Sequence, residues 1–247
     1  MKITFLGTSH GVPAADRYCS CTLIEAGGSA YLIDAGAPAI DLLLRRGVDL
    51  TSIRALFTTH LHCDHVNGVL ALSDLFTWYF KKTDIDIYLT EQRGIDAFRA
   101  VLGATLNDAL CDERVRFRLM TPDTVYEDDN IRVTPMPTQH MALSGRPAYS
   151  YLVEADGKKA LFTGDLSSKL AKADFPSYAL ENEVDLLVCE MAHFGPEHVS
   201  PYLARCKAKD VRFTHVFPLD KLDAIAAMDG RYAYPVRAVS DGDVVEL

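Results

Sequence analysis

The sequence predicts a protein of mixed α and β structure, because short strand-like runs and helical patterns alternate along its whole length. The chain has 247 residues, of which 49% are hydrophobic and 24% charged, the balance of an ordinary globular protein. No linker, internal repeat or low-complexity segment interrupts the alternation. We therefore expect one domain of the α/β or α+β class.

The predicted elements begin with four strands, near residues 2–6, 20–25, 29–33 and 54–58. Each is a short run rich in apolar and β-branched residues, which is typical of buried strands. Between the third and fourth strands, residues 39–47 carry apolar side chains at helical spacing and end on a glycine.

The alternation continues through the rest of the chain. Residues 68–82 predict an apolar, aromatic-rich helix that ends in two lysines and whose aromatic side chains are expected to pack in the core. Ser200 and Pro201 together predict the start of a later helix, because a capping hydroxyl precedes a proline in the first turn. Further strands are predicted near residues 85–89, 115–119, 131–135, 148–154, 159–163, 184–189, 211–216, 236–240 and 243–246, and further helices near 91–101, 201–208 and 220–228.

A dense cluster of metal-ligand side chains follows the fourth strand: His60, His62, Asp64 and His65. In an extended segment His60 and His62 point to the same face, and a turn after them can bring Asp64 and His65 to a neighbouring point. Imidazole suits zinc and iron, while a carboxylate suits harder ions such as manganese. The spacing therefore favours a site for two adjacent metal ions over a solvated histidine-rich loop.

Three more candidate ligands lie at the ends of later predicted strands. His140 follows the strand near 131–135, Asp165 follows the strand near 159–163, and His215 lies in the strand near 211–216. Taken singly, a buried histidine or an aspartate in a turn has a structural role more often than it binds a metal. Together with the first cluster they give seven candidates, and an aspartate in a turn after Gly164 can bridge two ions.

In this order, the seven residues resemble the signature of the metallo-beta-lactamase superfamily, a His-x-His-x-Asp-His loop followed by His, Asp and His. Residues 5–13 (FLGTSHGVP), residues 32–36 (LIDAG) and residues 147–154 (PAYSYLVE) are similar to its phosphodiesterase branch. That branch includes transfer-RNA 3′-processing endonucleases and the cyclic phosphodiesterase of phosphonate breakdown. The resemblance implies a four-layer αββα sandwich, classed as α+β, in which residues 1–247 form one metallo-hydrolase domain.

The resemblance also leads to a hypothesis for the roles of the ligands. One divalent ion is expected to be held by His60, His62 and His140, and a second by Asp64, His65 and His215, with Asp165 bridging them. Zinc is the expected metal, with manganese or iron as alternatives. A hydroxide shared by the two ions would attack phosphorus, and Asp64 would also orient it.

Two further histidines are candidates for the proton donor to the leaving oxygen. His198, in a Pro-Glu-His-Val-Ser setting, best matches the non-ligand histidine of the phosphodiesterase branch, and His193 is the alternative. Imidazole has an ordinary pKa of about 6.5, which suits a general acid near neutrality. His10, in the glycine-containing loop after the first strand, could border the pocket, although such a turn is commonly structural.

The net charge of −9 bears on the partners of the protein. A large RNA is bound mainly through Lys and Arg contacts to phosphates, so the acidic chain predicts a small-molecule phosphodiester substrate instead. Residues 166–184 are also too short for the protruding arm with which the transfer-RNA enzymes grip their substrate. The sequence leaves the oligomeric state open between a monomer and a homodimer.

The expected compartment is the cytoplasm. No run of eighteen apolar residues is present, so no membrane association is expected. The first residues lead directly into a predicted strand and do not have the pattern of a signal peptide. The six cysteines are scattered, as expected for reduced thiols and not for a disulfide framework.

These observations predict a metal-dependent hydrolase, a phosphodiesterase that acts on a small phosphodiester or cyclic phosphate. One alternative is a hydrolase of thioesters, lactones or other esters on the same fold, because hydroxide also attacks carbonyl carbon. Another is a non-hydrolytic metal-bound interaction or redox protein. The retention of His62, which the redox diiron branch usually replaces by Glu, and of all seven ligand positions argues against that second alternative.

Overall fold

Two mixed β-sheets pack face to face in the computed structural model, which describes residues 1–12, 14–107, 113–168 and 174–247. Within these ranges the strands are β1 (Lys2–Gly7), β2 (Cys21–Ala26), β3 (Ser29–Ile33), β4 (Ile53–Phe57), β5 (Ile85–Leu89), β6 (Val115–Leu119), β7 (Tyr126–Glu127), β8 (Arg132–Pro137), β9 (Tyr149–Ala155), β10 (Lys158–Phe162), β11 (Leu186–Met191), β12 (Val211–Val216), β13 (Val236–Ala238) and β14 (Val244–Glu246). The first sheet has the order β14-β1-β2-β3-β4-β5-β6, and the second has the order β13-β12-β11-β10-β9-β8-β7.

Helices cover the outer face of each sheet. The helices are α1 (Ala39–Arg45), α2 (Cys63–Val66), α3 (Val69–Trp78), α4 (Gln92–Ala104), α5 (Ser177–Glu181), α6 (Pro196–Leu203) and α7 (Lys221–Ala226). Apolar residues of α1, α3 and α4 share one buried cluster with the first sheet, and those of α5, α6 and α7 share another with the second. The layers therefore run helix, sheet, sheet, helix, which confirms the predicted αββα sandwich.

The core between the sheets is rich in aromatic residues. Tyr31 of β3 and Phe57 of β4 face Tyr151 of β9 and Phe162 of β10 in a third buried cluster. Side chains alternate between the two faces of a strand, so the same strands also supply the clusters beneath the helices. The Tyr151 hydroxyl donates to the carbonyl of Thr58 at 2.7 Å, a bond between the sheets directly below the histidine-rich loop.

Parallel strand pairing brings the candidate residues to one edge of the sandwich. In the first sheet β3, β4, β5 and β6 are parallel, and the histidine-rich loop leaves the end of β4. In the second sheet β10, β11 and β12 are parallel, and β8 has the same direction because two antiparallel pairings separate it from β10. The loops that follow these strands therefore emerge side by side.

The prediction of a helix start at Ser200 and Pro201 is wrong. Helix α6 begins at Pro196 with Gly195 as its N-cap, and Pro201 lies inside it. Pro196 takes the first helical position, where a missing N–H costs nothing. The Ser200 hydroxyl donates back to the carbonyl of Pro196 at 2.6 Å, so it does not cap a helix.

Other differences are smaller. Helix α3 ends at Trp78, several residues before the predicted end at 82, and the short elements β7 and α5 were not predicted. The five cysteines in the described ranges are free thiols, as expected, and Cys111 lies outside those ranges. None of the described helices combines the length and apolar character that crossing a bilayer requires.

Candidate metal centre

The loop after β4 carries four of the candidate residues. Thr58 and Thr59 continue the extended chain, His60 is fully buried, and His62 caps the short helix α2, which contains Asp64 and His65. The chain can turn so tightly here because Gly36 lies against it: a Cβ at Gly36 would be 1.5 Å from the Asp64 carbonyl oxygen. A side chain at position 36 would therefore displace the loop.

One group of ligand-type atoms comes from both sheets. Nε2 of His60 lies 2.9 Å from Nδ1 of His62, and Nε2 of His140 lies 3.3 Å from the same His62 nitrogen. Oδ2 of Asp165 lies 3.8 Å from Nε2 of His60 and 3.7 Å from Nε2 of His140. These four atoms lie within 4.8 Å of one another, close enough to hold one ion.

A second group lies beside the first. Oδ2 of Asp64 is 3.5 Å from Nε2 of His65 and 3.7 Å from Nε2 of His215. Asp165 presents its other oxygen to this group: Oδ1 is 3.4 Å from Nε2 of His65 and 3.5 Å from Nε2 of His215. Asp165 thus has one carboxylate oxygen facing each group, and the seven predicted ligand residues converge at one place.

Three buried polar atoms of this centre make no hydrogen bond. They are Nε2 of His65, Nε2 of His215 and Oδ1 of Asp165. An unsatisfied buried donor or acceptor costs about 1–3 kcal/mol, so such a concentration needs a ligand to explain it. Nitrogen and carboxylate oxygen atoms that face one another at these distances fit a divalent cation, and the donor set fits the metal predicted from the sequence.

Burial and charge set the pKa values around the centre. Burial lowers the pKa of His60, His62 and His140, which keeps their rings neutral and their lone pairs available. Burial alone would raise the pKa of Asp64, but the neighbouring His65 ring lowers it to about 2. In the same way, His215 and His65 overcome burial and lower the pKa of Asp165 well below its usual range.

Residues behind the centre fix the orientation of the rings. Oδ2 of Asp34 lies 2.7 Å from Nδ1 of His65, and Oδ1 of Asp34 accepts from the backbone N–H of Thr59 at 2.7 Å. Nδ1 of His215 lies 2.8 Å from the Ser20 hydroxyl. Contacts of this kind hold a metal-binding histidine in one tautomer, so that its other nitrogen faces the ion.

The candidate proton donor His193 lies at the edge of this centre. Its Nδ1 is 2.9 Å from Oε1 of the buried Glu190, while its Nε2 is 3.8 Å from Oδ2 of Asp165. Burial would lower the pKa of His193, but the hydrogen bond and charge of Glu190 raise it. A ring held through Nδ1 presents Nε2 towards the place where a substrate would meet the centre.

The structure places His198, the preferred proton donor from the sequence, on the first turn of α6. Its Nδ1 lies 2.8 Å from Glu197 and 3.3 Å from the backbone N–H of Gly195, and 47% of its side chain is exposed. No contact between His198 and the seven centre residues appears in the described ranges. The geometry favours His193 because its ring lies beside Asp165 at the edge of the centre, whereas the His198 ring is half exposed beside Glu197.

His10 lines the opening of the centre. Its ring stacks on Phe217 at a centroid distance of 4.6 Å and meets the edge of the His215 ring at 5.2 Å. The adjacent Gly11 lies against the Asp64 carboxylate, since a Cβ there would be 3.0 Å from Oδ2. The loop after β1 therefore borders the pocket, as the sequence suggested.

The sequence analysis missed two residues that orient the centre. Asp34 was noted only as part of the family motif at residues 32–36, and Glu190 was not singled out. Both are carboxylates directly after or within an apolar strand, where 4% and 1% of their surface is exposed. A buried carboxylate needs partners, so the apolar surroundings of each in the sequence were the available signal.

Comparison with known proteins places the chain in a family. Residues 1–199 match the family described as Anti-Pycsar protein Apyc1. The chain belongs to this family. The Apyc1-family match ends before His215, so the last candidate ligand lies outside the matched residues.

Curated relatives of this Apyc1-family chain are named Ribonuclease Z. That of Synechococcus sp. (strain CC9311) is 31% identical over 188 residues, which are 72% of this chain and 57% of the relative. That of Microcystis aeruginosa (strain NIES-843 / IAM M-2473) is 31% identical over 180 residues, 72% of this chain and 54% of the relative. The matches therefore span only a little more than half the length of these relatives.

Solved structures share the fold of the Apyc1-family chain. The metallo-beta-lactamase fold protein YhfI from Bacillus subtilis superposes with a TM-score of 0.78 at 20% identity, over 99% of each chain. The short form of human tRNase Z gives 0.71 at 21% identity, over 100% of this chain and 99% of the other. A diphosphatase of the PhnP family gives 0.72 at 18% identity, over 100% and 97%. The αββα sandwich is thus the metallo-beta-lactamase fold.

Proposed function

We propose that this protein is a metal-dependent phosphodiesterase that hydrolyses a small phosphodiester or cyclic phosphate with two divalent ions. The observation that carries the proposal is the position of the Asp165 carboxylate, whose two oxygens face separate groups of histidine nitrogens. The names of the relatives and fold neighbours, which include ribonucleases and a diphosphatase, support chemistry at a phosphate ester.

The proposed ligands follow the two groups of atoms. His60, His62 and His140 would hold one ion, and Asp64, His65 and His215 the other, with Asp165 shared. Zinc is the proposed metal, because imidazole supplies most of the donors and a few carboxylate oxygens complete the set. The whole chain, residues 1–247, is proposed to form one catalytic domain, since both sheets contribute ligands.

When bound, a pair of divalent ions lowers the pKa of water and stabilises negative charge on phosphoryl oxygens. The protein side chains supply the other requirements. The Asp64 carboxylate, whose pKa is lowered to about 2, would orient the attacking oxygen. His193, held by Glu190, is proposed to donate the proton from Nε2 to the leaving alkoxide.

The substrate is proposed to be small. The net charge of −9 opposes binding of a long polyanion, which needs many Lys and Arg contacts to phosphate. The segment 166–184 supports this in part, although its residues 169–173 lie outside the described ranges. Intact precursor tRNA is the competing substrate, because the curated relatives are named Ribonuclease Z.

A substrate panel tests the proposal. Purified protein stripped with a chelator and reconstituted with zinc, manganese or iron would be assayed against bis(p-nitrophenyl) phosphate, 2′,3′- and 3′,5′-cyclic nucleotides, and acyl esters. We expect metal-restored hydrolysis of the phosphodiesters. Hydrolysis of acyl esters alone would assign the site to carbonyl chemistry, and no hydrolysis with any metal would overturn the enzymatic proposal.

A further inference from the structure

The short loop between β11 and α6, residues 192–195, carries His193 and is held by two opposite charges. Its donors are satisfied from one side: the backbone N–H groups of Ala192 and His193 both donate to Oε2 of Glu190, at 2.7 and 3.1 Å. The other Glu190 oxygen accepts from the His193 ring and from the backbone N–H of Leu166, at 2.9 Å each. One buried carboxylate thus fixes the N–H groups of the first two residues of the loop and the His193 ring.

Two carbonyl oxygens of the same loop, and that of Met191 just before it, accept from Lys221, the first residue of α7. Its Nζ donates to the carbonyl oxygens of Met191, Ala192 and Phe194, at 2.9, 3.0 and 2.7 Å. An ammonium group has three protons and no acceptor, so these bonds use its whole capacity. Hydrogen bonds to a charged donor are stronger than those between neutral groups.

This arrangement is not needed to hold the sheet together. Strand β11 pairs with β10 and β12 through its own backbone, and the carbonyls that Lys221 binds belong to the last residue of the strand and to the loop beyond it. Two of the three, those of Ala192 and Phe194, directly flank His193 in the chain. The Lys221 ammonium therefore acts on the segment whose conformation decides where the His193 ring points.

We propose that Lys221 is a positioning residue for the proton donor: its three bonds hold the His193 loop so that Nε2 faces the centre. This inference rests on the proposed function, because it gives His193 the role of acid. Lys221 does not touch the seven centre residues in the described contacts, so it acts through the loop and not on the ions or the substrate.

The test combines Lys221→Met, which keeps the unbranched apolar stem and removes the donors, with Lys221→Arg, which keeps the charge. Lys209→Met is the matched control, since Nζ of Lys209 pairs with Asp185 and 61% of the side chain is exposed. We expect Lys221→Met to lower kcat about tenfold or more for diesters with alkoxide leaving groups, with KM and metal content unchanged. The loss should be small for p-nitrophenyl esters, and Lys221→Arg should recover part of it.

A double-mutant cycle separates positioning from a general structural defect. In a His193→Ala background the Lys221→Met substitution should cause no further loss, because the group that it positions is gone. An equal loss in both backgrounds, or a loss that is uniform across leaving groups, would overturn the proposal. Lys221→Met with full activity on alkoxide diesters would also overturn it.

A measurement without turnover distinguishes this inference from the proposed function. In ¹⁵N-histidine NMR spectra the His193 Nδ1–H signal should be protected in the wild type, preserved in Lys209→Met, and exchange-broadened or lost in Lys221→Met. A wild-type protein that hydrolyses no diester but shows this pattern would remove the phosphodiesterase function and leave the loop contact in place. An unchanged His193 signal in Lys221→Met would remove the positioning role whatever the activity.

Discussion

Nδ1 of His65 lies 2.7 Å from Oδ2 of Asp34, and this contact turns the other ring nitrogen of His65 towards Asp165. Asp34 is 4% exposed and adopts a left-handed backbone conformation with φ of 58° directly after β3. The same carboxylate holds the backbone of Thr59, one residue before His60. One buried aspartate therefore positions parts of both groups of ligand-type atoms.

Replacing this carboxylate should weaken metal binding. In Asp34→Asn the amide oxygen can still accept from Thr59, and Asn tolerates the left-handed conformation, so the fold should persist. The charge that orients His65 is lost, and we expect metal affinity to fall about 10–100-fold, the usual cost of losing such a partner. Competition titration with a metal chelator dye measures this, with the exposed Asp96→Asn as control. Equal metal affinities in the two variants would show that Asp34 does not orient His65 for metal binding.

The number of ions is a separate prediction. Reconstituted protein should carry about two transition-metal ions per chain, because the atoms form two groups with a shared carboxylate. His62→Ala should lower that number, since Nδ1 of His62 is the atom nearest to both His60 and His140. Elemental analysis after gel filtration gives the stoichiometry, and His198→Ala is the control. Full occupancy in His62→Ala would exclude His62 as a ligand.

The identity of the proton donor is tested by His193→Ala and His198→Ala side by side. We expect His193→Ala to lower turnover of alkoxide diesters about a hundredfold, within the usual range for a general acid. The loss should be small for p-nitrophenolate, which leaves without a proton, and metal content should stay the same. His198→Ala should keep its activity, because its ring lies in solvent beside Glu197. The opposite ranking would restore the assignment first made from the sequence.

The size of the substrate is checked with a gel assay. Small diesters should be cleaved, and intact precursor tRNA should not be trimmed at its 3′ end at physiological salt, since the chain has a net charge of −9. A transfer-RNA 3′-processing enzyme in the same assay serves as the positive control. Efficient trimming by this protein would mean that a local basic surface outweighs the net charge.

Stability should depend on pH through Asp128, a carboxylate outside the centre. Oδ2 of Asp128 accepts from the hydroxyls of Tyr31 and Tyr126, at 2.7 and 2.8 Å, and so joins β3 of one sheet to the turn between β7 and β8 of the other. Burial would raise its pKa, but these bonds and two backbone N–H groups lower it. The contribution of Asp128 to the free energy of unfolding is therefore fully present above about pH 3.9, the pKa of an aspartate in the unfolded chain. It is lost as the pH falls through the lower pKa that Asp128 has in the folded protein.

We expect Asp128→Ala to lower the free energy of unfolding by about 1–3 kcal/mol at pH 7, because the Tyr31 hydroxyl loses its acceptor. The difference from wild type should shrink below about pH 4, where the wild-type carboxylate is itself becoming protonated. Urea unfolding monitored by circular dichroism at several pH values measures both effects. The exposed neighbour provides the control Asp129→Ala, and a difference that is constant with pH would contradict the assignment.

The seven centre residues could be predicted because their signals are local, and the αββα sandwich could be predicted from the family resemblance that those residues carry. Residues 60–65 place four ligand-type side chains within six positions, and strand periodicity located the elements that bring His140, Asp165 and His215 to the same edge. Their role as ligands stays a prediction. The residues that orient them could not be found in this way, because Asp34 meets His65 across 31 positions and Ser20 meets His215 across 195.

The choice between His193 and His198 shows the same limit. Both histidines follow β11 within eight residues of its end, and the sequence pattern favoured His198, the one that the structure leaves away from the centre. The separation comes from Glu190, whose buried carboxylate binds the His193 ring, and from the start of α6 at Pro196, which sends His198 outward. Prediction of the helix at Ser200 failed for the same reason, since two prolines compete for the first turn and only packing decides between them.

The two sheets supply complementary parts of the centre. The loop after β4 brings His60, His62, Asp64 and His65, and the second sheet brings the rest, so neither half of the sandwich supplies all the residues of either group. Bound ions would then act as cross-links between the halves, and the midpoint of thermal unfolding would rise with free metal concentration as mass action requires. The concentration of free metal in the cell would accordingly affect how long the folded protein persists as well as its catalytic rate.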